Sequence, residues 1–262
     1  MFTVPELKLA VRLSAFGLSL KKALHAAAQL DARGIEIDAR TMLRPADLTD
    51  TACRQLRKMM DDLNLRVCAV RFPTRQGYDQ PERLDERIDA TKEAMRMAYR
   101  LGAHVVVNQL GRVPADPASP AFDQLRAALE DLGSYGTHVG AFLAAETGTE
   151  SGEQLARLLD SLEHGYVGVA FNPGQLIVNG FSVRESLLPL AARVQLVEAC
   201  DGVQDLAQGR GIEVPLGQGT ADMPEILSLL EDHRYRGWFV VGRKQAGTAH
   251  ELGPALQYLR NL

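Results

Sequence analysis

The chain has 262 residues, 46% of them apolar and 24% charged, and 29 Lys and Arg against 33 Asp and Glu leave a net charge of −4. These proportions exclude a disordered or fibrous chain, and the acidic balance offers no field for a polyanion, so nucleic acid is not an expected partner. A length in this range fits one large α/β barrel or two smaller domains.

The N-terminal stretch carries Glu6, Lys8 and Arg12 among its apolar residues and reads as neither a signal peptide nor a membrane span. Residues 7–13 form a first strand. Leu20, Leu24, Ala27 and Ala28 then recur at helical spacing until Gly34 stops the helix. GIEID at 34–38 is a second strand, and ACRQLRKMMDDLN a second helix ending near Asn64. Residues 65–72 make the third strand; Ile88, Met95 and Ala98 mark the buried stripe of the helix after it, with Gly102 as its stop. The fourth strand is AHVVVNQL, followed by a helix over about 121–135, the fifth strand VGAFLAAE, the helix SGEQLARLLDSLEHG and the sixth strand YVGVAFN. Residues 194–200 are the seventh strand, PEILSLLEDH its helix, and residues 237–243 the eighth strand, closed by AHELGPALQYLRNL. No Ser/Gly linker or charge block divides the chain, so residues 1–262 read as a single domain.

Near-continuous apolar strands alternating with amphipathic helices indicate a parallel sheet covered on both faces. Eight such units in this length predict a (β/α)8 barrel. An open doubly wound sheet is the main competitor, but its glycine-rich first turn is missing: SAFGLSL holds only Gly17. Three cysteines, Cys53, Cys68 and Cys200, form no disulfide framework, which points to a reducing compartment and a cytoplasmic location.

In a barrel the C-terminal strand ends share one mouth, where chemistry is sought. Those ends carry Arg12, Glu36 with Asp38, Arg71, Asn108 with Gln109, Glu146, Asn172 with Gln175, Glu198 with Asp201, and Arg243 with Lys244. Charge at nearly every strand end is hard to explain by stability alone, because buried charge is costly unless paired. Asp38 and Asp201 are equally well read as loop starts or helix caps, and Arg71 and Arg243 as rim partners of these acids. Glu146, directly after the apolar run AFLAA, is the least natural surface residue. None of the six histidines sits where a ligand is expected, and no HxH, HExxH or CxxC spacing occurs.

AAAQLDARGIEI, AMRMAYRLGAHVVV, FLAAE, FNPGQL, VPLGQGTADMPEILSLLEDHRYRGWFVV and YLRNL, in this order and spacing, resemble the sugar phosphate isomerase/epimerase family of xylose isomerase-like TIM barrels. The resemblance covers the whole chain. It implies a metal held by a Glu ending strand five, an Asp ending strand six, a His three residues later, a His in strand seven and a Glu ending strand eight. Glu146 matches the first of these; Asn172, Gln175, Glu198 and Gly242 replace the others. Neutral carbonyl oxygens and a glycine bind a divalent cation poorly, so no cofactor is expected beyond a weak Mn²⁺, Mg²⁺, Co²⁺ or Zn²⁺ on Glu146, Asn172 and Glu198.

The expected activity is isomerisation or epimerisation of a carbohydrate or sugar phosphate, with Glu146 and Glu198 as catalytic acid–base groups. Arg12, Arg71, Asn108, Asn172, Gln175, Asp201, Arg243 and Lys244 are the expected substrate-binding residues. The alternative is a catalytically silent relative that binds a sugar, polyol or anionic metabolite. Abasic-site endonuclease activity, which also occurs in this family, lacks the histidines and basic cleft it needs. The loops after strands three and four carry Arg75, Tyr78 and Arg112 as candidate lid residues. Relatives of this kind commonly form homo-oligomers, although no sequence feature marks the surface.

Overall fold

Segments such as VCAV, VVVN and GVAF are apolar on both faces and need cover on both. The computed structural model describes residues 6–205, 210–243 and 247–262 and provides that cover by closure and by helices. Strands β1 (Lys8–Arg12), β2 (Gly34–Asp38), β3 (Arg66–Arg71), β4 (Val105–Asn108), β5 (Phe142–Glu146), β6 (Gly168–Phe171) and β7 (Val194–Ala199) pair in parallel. A short antiparallel hairpin, β8 (Asp201–Val203) with β9 (Ile212–Val214), precedes the last barrel strand, β10 (Trp238–Val241). Because β1 pairs with β2 through Ala10↔Gly34 and with β10 through Lys8↔Trp238, the sheet has no open edge. The fold is a single (β/α)8 barrel, as the strand count predicts.

The outer ring is α1 (Leu20–Gln29), α2 (Asp50–Asp62), α3 (Leu84–Arg100), α4 (Pro120–Val139), α5 (Gly152–Asp160), the short pair α6 (Pro173–Val178) and α7 (Val183–Leu190), then α8 (Met223–Asp232) and α9 (Ala249–Arg260). Side-chain caps fix several starts: Thr49, Ser119 and Asp222 each accept a backbone N–H, and Ser151 with Gln154 completes a capping box. The sequence reading ends α4 near residue 135, whereas it runs to Val139 and stops at Gly140 in the left-handed conformation. Gly133 and Gly136 look like breakers but are packing positions; a Cβ on Gly133 would come within 2.8 Å of the Tyr166 backbone nitrogen. Neither the α6–α7 pair nor the β8–β9 hairpin is read from the sequence, since both are too short for a clear period.

Side chains alternate along a strand, so residues two apart share a face. Inside the barrel Ala10, Ala69, Ala144, Ala170, Leu196 and Val240 form a small-residue apolar layer. Two positions nearer the mouth the same register carries Arg12, Arg71, Glu146, Asn172, Glu198 and Gly242. The strand pattern thus builds a polar layer directly on an apolar floor. Among the described residues, no helix is long and apolar enough to cross a membrane.

Candidate active site

The polar layer is a closed set of ion pairs. Arg12 Nε donates to Glu36 Oε2 at 3.0 Å, one terminal nitrogen donates to the Gly242 carbonyl at 2.8 Å, and the other pairs with Glu198. Arg71 donates to Glu198 Oε1 at 2.8 Å, pairs with Glu146 Oε2, and lies 3.7 Å from Glu36 Oε1. Asn172 Nδ2 donates to Glu146 Oε1 at 2.9 Å. Glu36 and Glu198 are wholly buried, and Arg12, Arg71, Glu146 and Asn172 nearly so. Burial by itself disfavours the Arg12 charge, but the negative groups around it, led by Glu36, more than reverse this and raise its pKa above the ordinary arginine value. Three carboxylates against two guanidinium groups leave the layer with one excess negative charge. That excess is visible locally, because Glu36 Oε1 is buried with no hydrogen-bond partner among the described residues.

Above this layer a pocket of about 170 Å³ opens at the C-terminal end of the strands, lined by Arg12, Ser14, Asp38, Arg71, Pro73, Asn108, Gln109 and Glu146. Its two lining carboxylates are Asp38 and Glu146. Asp38 Oδ1 accepts the backbone N–H groups of Arg40 and Thr41, both at 2.8 Å, which fixes the side chain at the rim. Asn108 shapes the opposite loop: its Oδ1 accepts the Thr74 N–H at 3.2 Å and its Nδ2 donates to Tyr78 Oη at 2.9 Å. A larger hollow of about 940 Å³ lies at the other end of the barrel, around Lys8, Arg66 and Trp238. Chemistry in this fold class belongs to the C-terminal mouth, so the smaller pocket is the candidate site.

The structure brings together Arg12, Arg71, Asn108, Asn172, Glu146 and Glu198, and it separates the rest. Glu198, expected as a catalytic group, is fully buried with both oxygens taken by Arg12 and Arg71, and it is not among the residues that line the pocket. Asp201, expected to bind substrate, has a carboxylate that accepts the backbone N–H groups of Gly202, Gly217, Gly219 and Ala221 at 2.8–3.0 Å and anchors the loop before α8. Arg243 turns away to the Glu213 carbonyl at 2.9 Å and to Glu251 at 3.0 Å. Gln175 gives its backbone N–H to Asn172 Oδ1 at 3.0 Å, so Asn172 caps α6. Lys244 lies outside the described residues. Tyr78 is buried, bonded to Thr91 and Asn108, while Arg75 and Arg112 are exposed.

The strand-end reading names Glu36 and Asp38 at the mouth but assigns neither a catalytic or binding role, although Asp38 lines the pocket. Glu150 is a further omission. It is buried beside Thr149, and burial pushes its pKa up to about 7, the Thr149 hydroxyl pulling the other way. A carboxylate directly before the Ser151 cap is the sequence signal that could have flagged it.

Glu146 and Glu198 are engaged by guanidinium groups, Asn172 turns its amide nitrogen to Glu146 and its oxygen to Gln175, and Gly242 supplies no side chain. Gly242 also has φ +129 with its carbonyl committed to Arg12, so a glutamate there would be strained. Among the described residues no three His, Cys, Asp or Glu side chains are arranged to hold a metal.

A family model described as "Xylose isomerase-like TIM barrel" matches residues 24–262. An inosose dehydratase of Bacillus thuringiensis (strain Al Hakam) is 24% identical over 221 residues, spanning 72% of this chain and 73% of the relative. A xylose isomerase domain protein from Planctomyces limnophilus superposes with a TM-score of 0.87 at 22% identity, covering 98% of this chain and 97% of that one. The D-allulose 3-epimerase from a Methylomonas species, solved with D-allulose, gives a TM-score of 0.73 at 16% identity, with 98% of each chain covered. At these identities the structural likenesses show the shared barrel.

Proposed function

Because the chain belongs to the xylose isomerase-like TIM barrel family, we propose that it is a carbohydrate-modifying enzyme, an isomerase or epimerase that moves a proton beside a sugar carbonyl in the mouth pocket. The observation that carries this reading is the Glu146–Arg71 pair on the pocket wall. Glu146 takes the proton from the carbon next to the carbonyl, and Arg71, with N–H groups on the same wall, stabilises the oxyanion that develops. Asp38, the other carboxylate of the pocket, takes a proton from solvent at the rim and delivers it to the substrate, while Glu146 releases its own proton to solvent, so the cycle closes. Arg12, Glu36 and Glu198 hold Arg71 in place. The chemistry depends weakly or not at all on a divalent ion, because the acids that would bind one are paired with arginine.

Dehydratase and epimerase relatives that are named for polyhydroxylated substrates support a sugar as the ligand. The pocket guanidinium groups are already matched by internal acids, which supports an uncharged sugar over its phosphate ester. Three buried free thiols support a cytoplasmic location.

A panel of ketoses and aldoses incubated with the protein in D₂O tests the reading by NMR. Deuterium is expected at the carbon beside the carbonyl, and Glu146→Gln is expected to abolish exchange while leaving the circular dichroism unchanged. The second reading, a silent sugar-binding barrel, is favoured by one observation: both Glu146 oxygens already accept hydrogen bonds. Saturable sugar binding without any exchange would select it and overturn the enzyme.

A further inference from the structure

We infer that Arg71 is a built-in cation seated among Glu36, Glu146 and Glu198, and that removing its guanidinium lets these acids draw in around a divalent ion. The three acids approach Arg71 from three strands, β2, β5 and β7, and all are buried. Carboxylates gathered in this way repel one another unless something positive sits between them. Arg71 does so, with Glu198 Oε1 at 2.8 Å, Glu36 Oε1 at 3.7 Å and Glu146 Oε2 in contact. The cage is not saturated: Glu36 Oε1, buried at 3.7 Å, accepts no hydrogen bond from Arg71 or any other described residue. An unpartnered buried carboxylate oxygen beside the guanidinium is the mark of a place with more anionic capacity than its occupant uses.

The balance of charge sets the direction of the effect. With Arg12 and Arg71 present the layer carries −1, so an added divalent ion would bring buried charge to +1 and meet a guanidinium at close range. Without Arg71 the layer carries −2, which one divalent ion neutralises. The space vacated by the guanidinium is faced by one oxygen of each acid, and binding requires these oxygens to draw in to carboxylate–metal distances. Arg12, held by the Gly242 carbonyl, remains as the second cation.

The inference rests on the pocket of the proposed function but not on its reaction, so an ion titration and a sugar-exchange assay fail separately. Mn²⁺ binding is followed by electron paramagnetic resonance and calorimetry in the wild type, Arg71→Ala, Arg71→Lys, and Arg71→Ala combined with Glu146→Gln. Arg71→Ala is expected to bind one Mn²⁺ on the order of 100-fold more tightly than the wild type, since the loss of one close positive charge is worth at least that factor. The Glu146→Gln double variant is expected to lose the gain, and Arg71→Lys, which keeps a cation in the cage, to show none. Tight Mn²⁺ binding by the wild type that Glu146→Gln abolishes would overturn the inference. So would a folded Arg71→Ala that binds no better than wild type, or a tight site in Arg71→Lys. Arg71→Met, which fills the stem volume without the charge, is titrated alongside and is expected to show the same gain, so the inference is tested even where Arg71→Ala does not fold; a folded Arg71→Met that binds no better than wild type would overturn it.

Discussion

Arg12 is the member of the ion-pair layer whose loss is most readily worked through. It is 2% exposed and has three directed partners: Glu36, Glu198 and the Gly242 carbonyl. Arg12→Met keeps most of the stem volume and removes the charge. Glu198 retains Arg71, but Glu36 is left with Arg71 at 3.7 Å as its remaining cation, and the Gly242 carbonyl keeps only the weak Cys200 thiol donor at 3.8 Å. Breaking a buried ion pair from one side costs about 3–5 kcal/mol and the lost guanidinium–carbonyl hydrogen bond about 1 kcal/mol more. Movement of Arg71 toward Glu36 recovers part of this, so the expected loss is about 4 kcal/mol, a large share of the roughly 5–15 kcal/mol that holds a domain folded. Urea unfolding of Arg12→Met, Glu36→Gln and the double variant measures it. Glu36→Gln removes the carboxylate that Arg12 would leave uncompensated, so the double variant should be more stable than the sum of the singles predicts, by about 2 kcal/mol. Additivity to within about 0.5 kcal/mol would refute the coupling and with it the picture of a charge-balanced layer.

Glu150 makes stability depend on pH in the direction opposite to a salt-bridged acid. Its folded pKa of about 7 lies above the ordinary 4.5, so the folded state holds the proton more tightly and stability falls as pH rises from about 4.5 to 7. Glu150→Gln is expected to be more stable than wild type by up to about 3 kcal/mol at pH 8 and equal to it near pH 4.5, read from urea midpoints; a difference independent of pH would count against a buried protonated carboxyl. Asp201→Asn replaces one acceptor oxygen with a donor facing backbone N–H groups, two of the four bonds are lost, and about 3 kcal/mol of stability should go with them. Hydrogen exchange localised to 215–221 checks that the loss falls on the anchored loop.

The barrel was legible because its signal is repeated eight times. Each strand is an apolar run too short for a helix, each helix carries its own stripe, and errors at single boundaries do not change the count. α4 shows the limit: a glycine inside a helix and a glycine ending one look alike in sequence, and only the approach of the Tyr166 backbone to Gly133 tells them apart. The β8–β9 hairpin escaped for a different reason. Its three-residue strands are fixed by Asp201, which binds backbone up to twenty residues away, and no local pattern carries a contact of that range.

The polar layer was legible as a set of residues but not as a set of partners. Strand-end position marked Arg12, Arg71, Glu146 and Glu198 as one group, yet position cannot say which of two acids lines a pocket and which does not. Long-range partners decide that. Glu146 and Glu198 belong to one layer, but both Glu198 oxygens go to Arg12 and Arg71 on other strands, while Glu146 and Asp38 line the pocket wall. Glu36 stands beside Arg71 with one oxygen that accepts no hydrogen bond. A barrel that keeps carboxylates at its mouth must balance them with a cation from solvent or from its own chain, and the arginines on β1 and β3 supply the second. Two uncharged strand-end residues serve the same internal balance: Gly242, with no side chain, gives its carbonyl to Arg12, and Asn172 gives its amide nitrogen to Glu146.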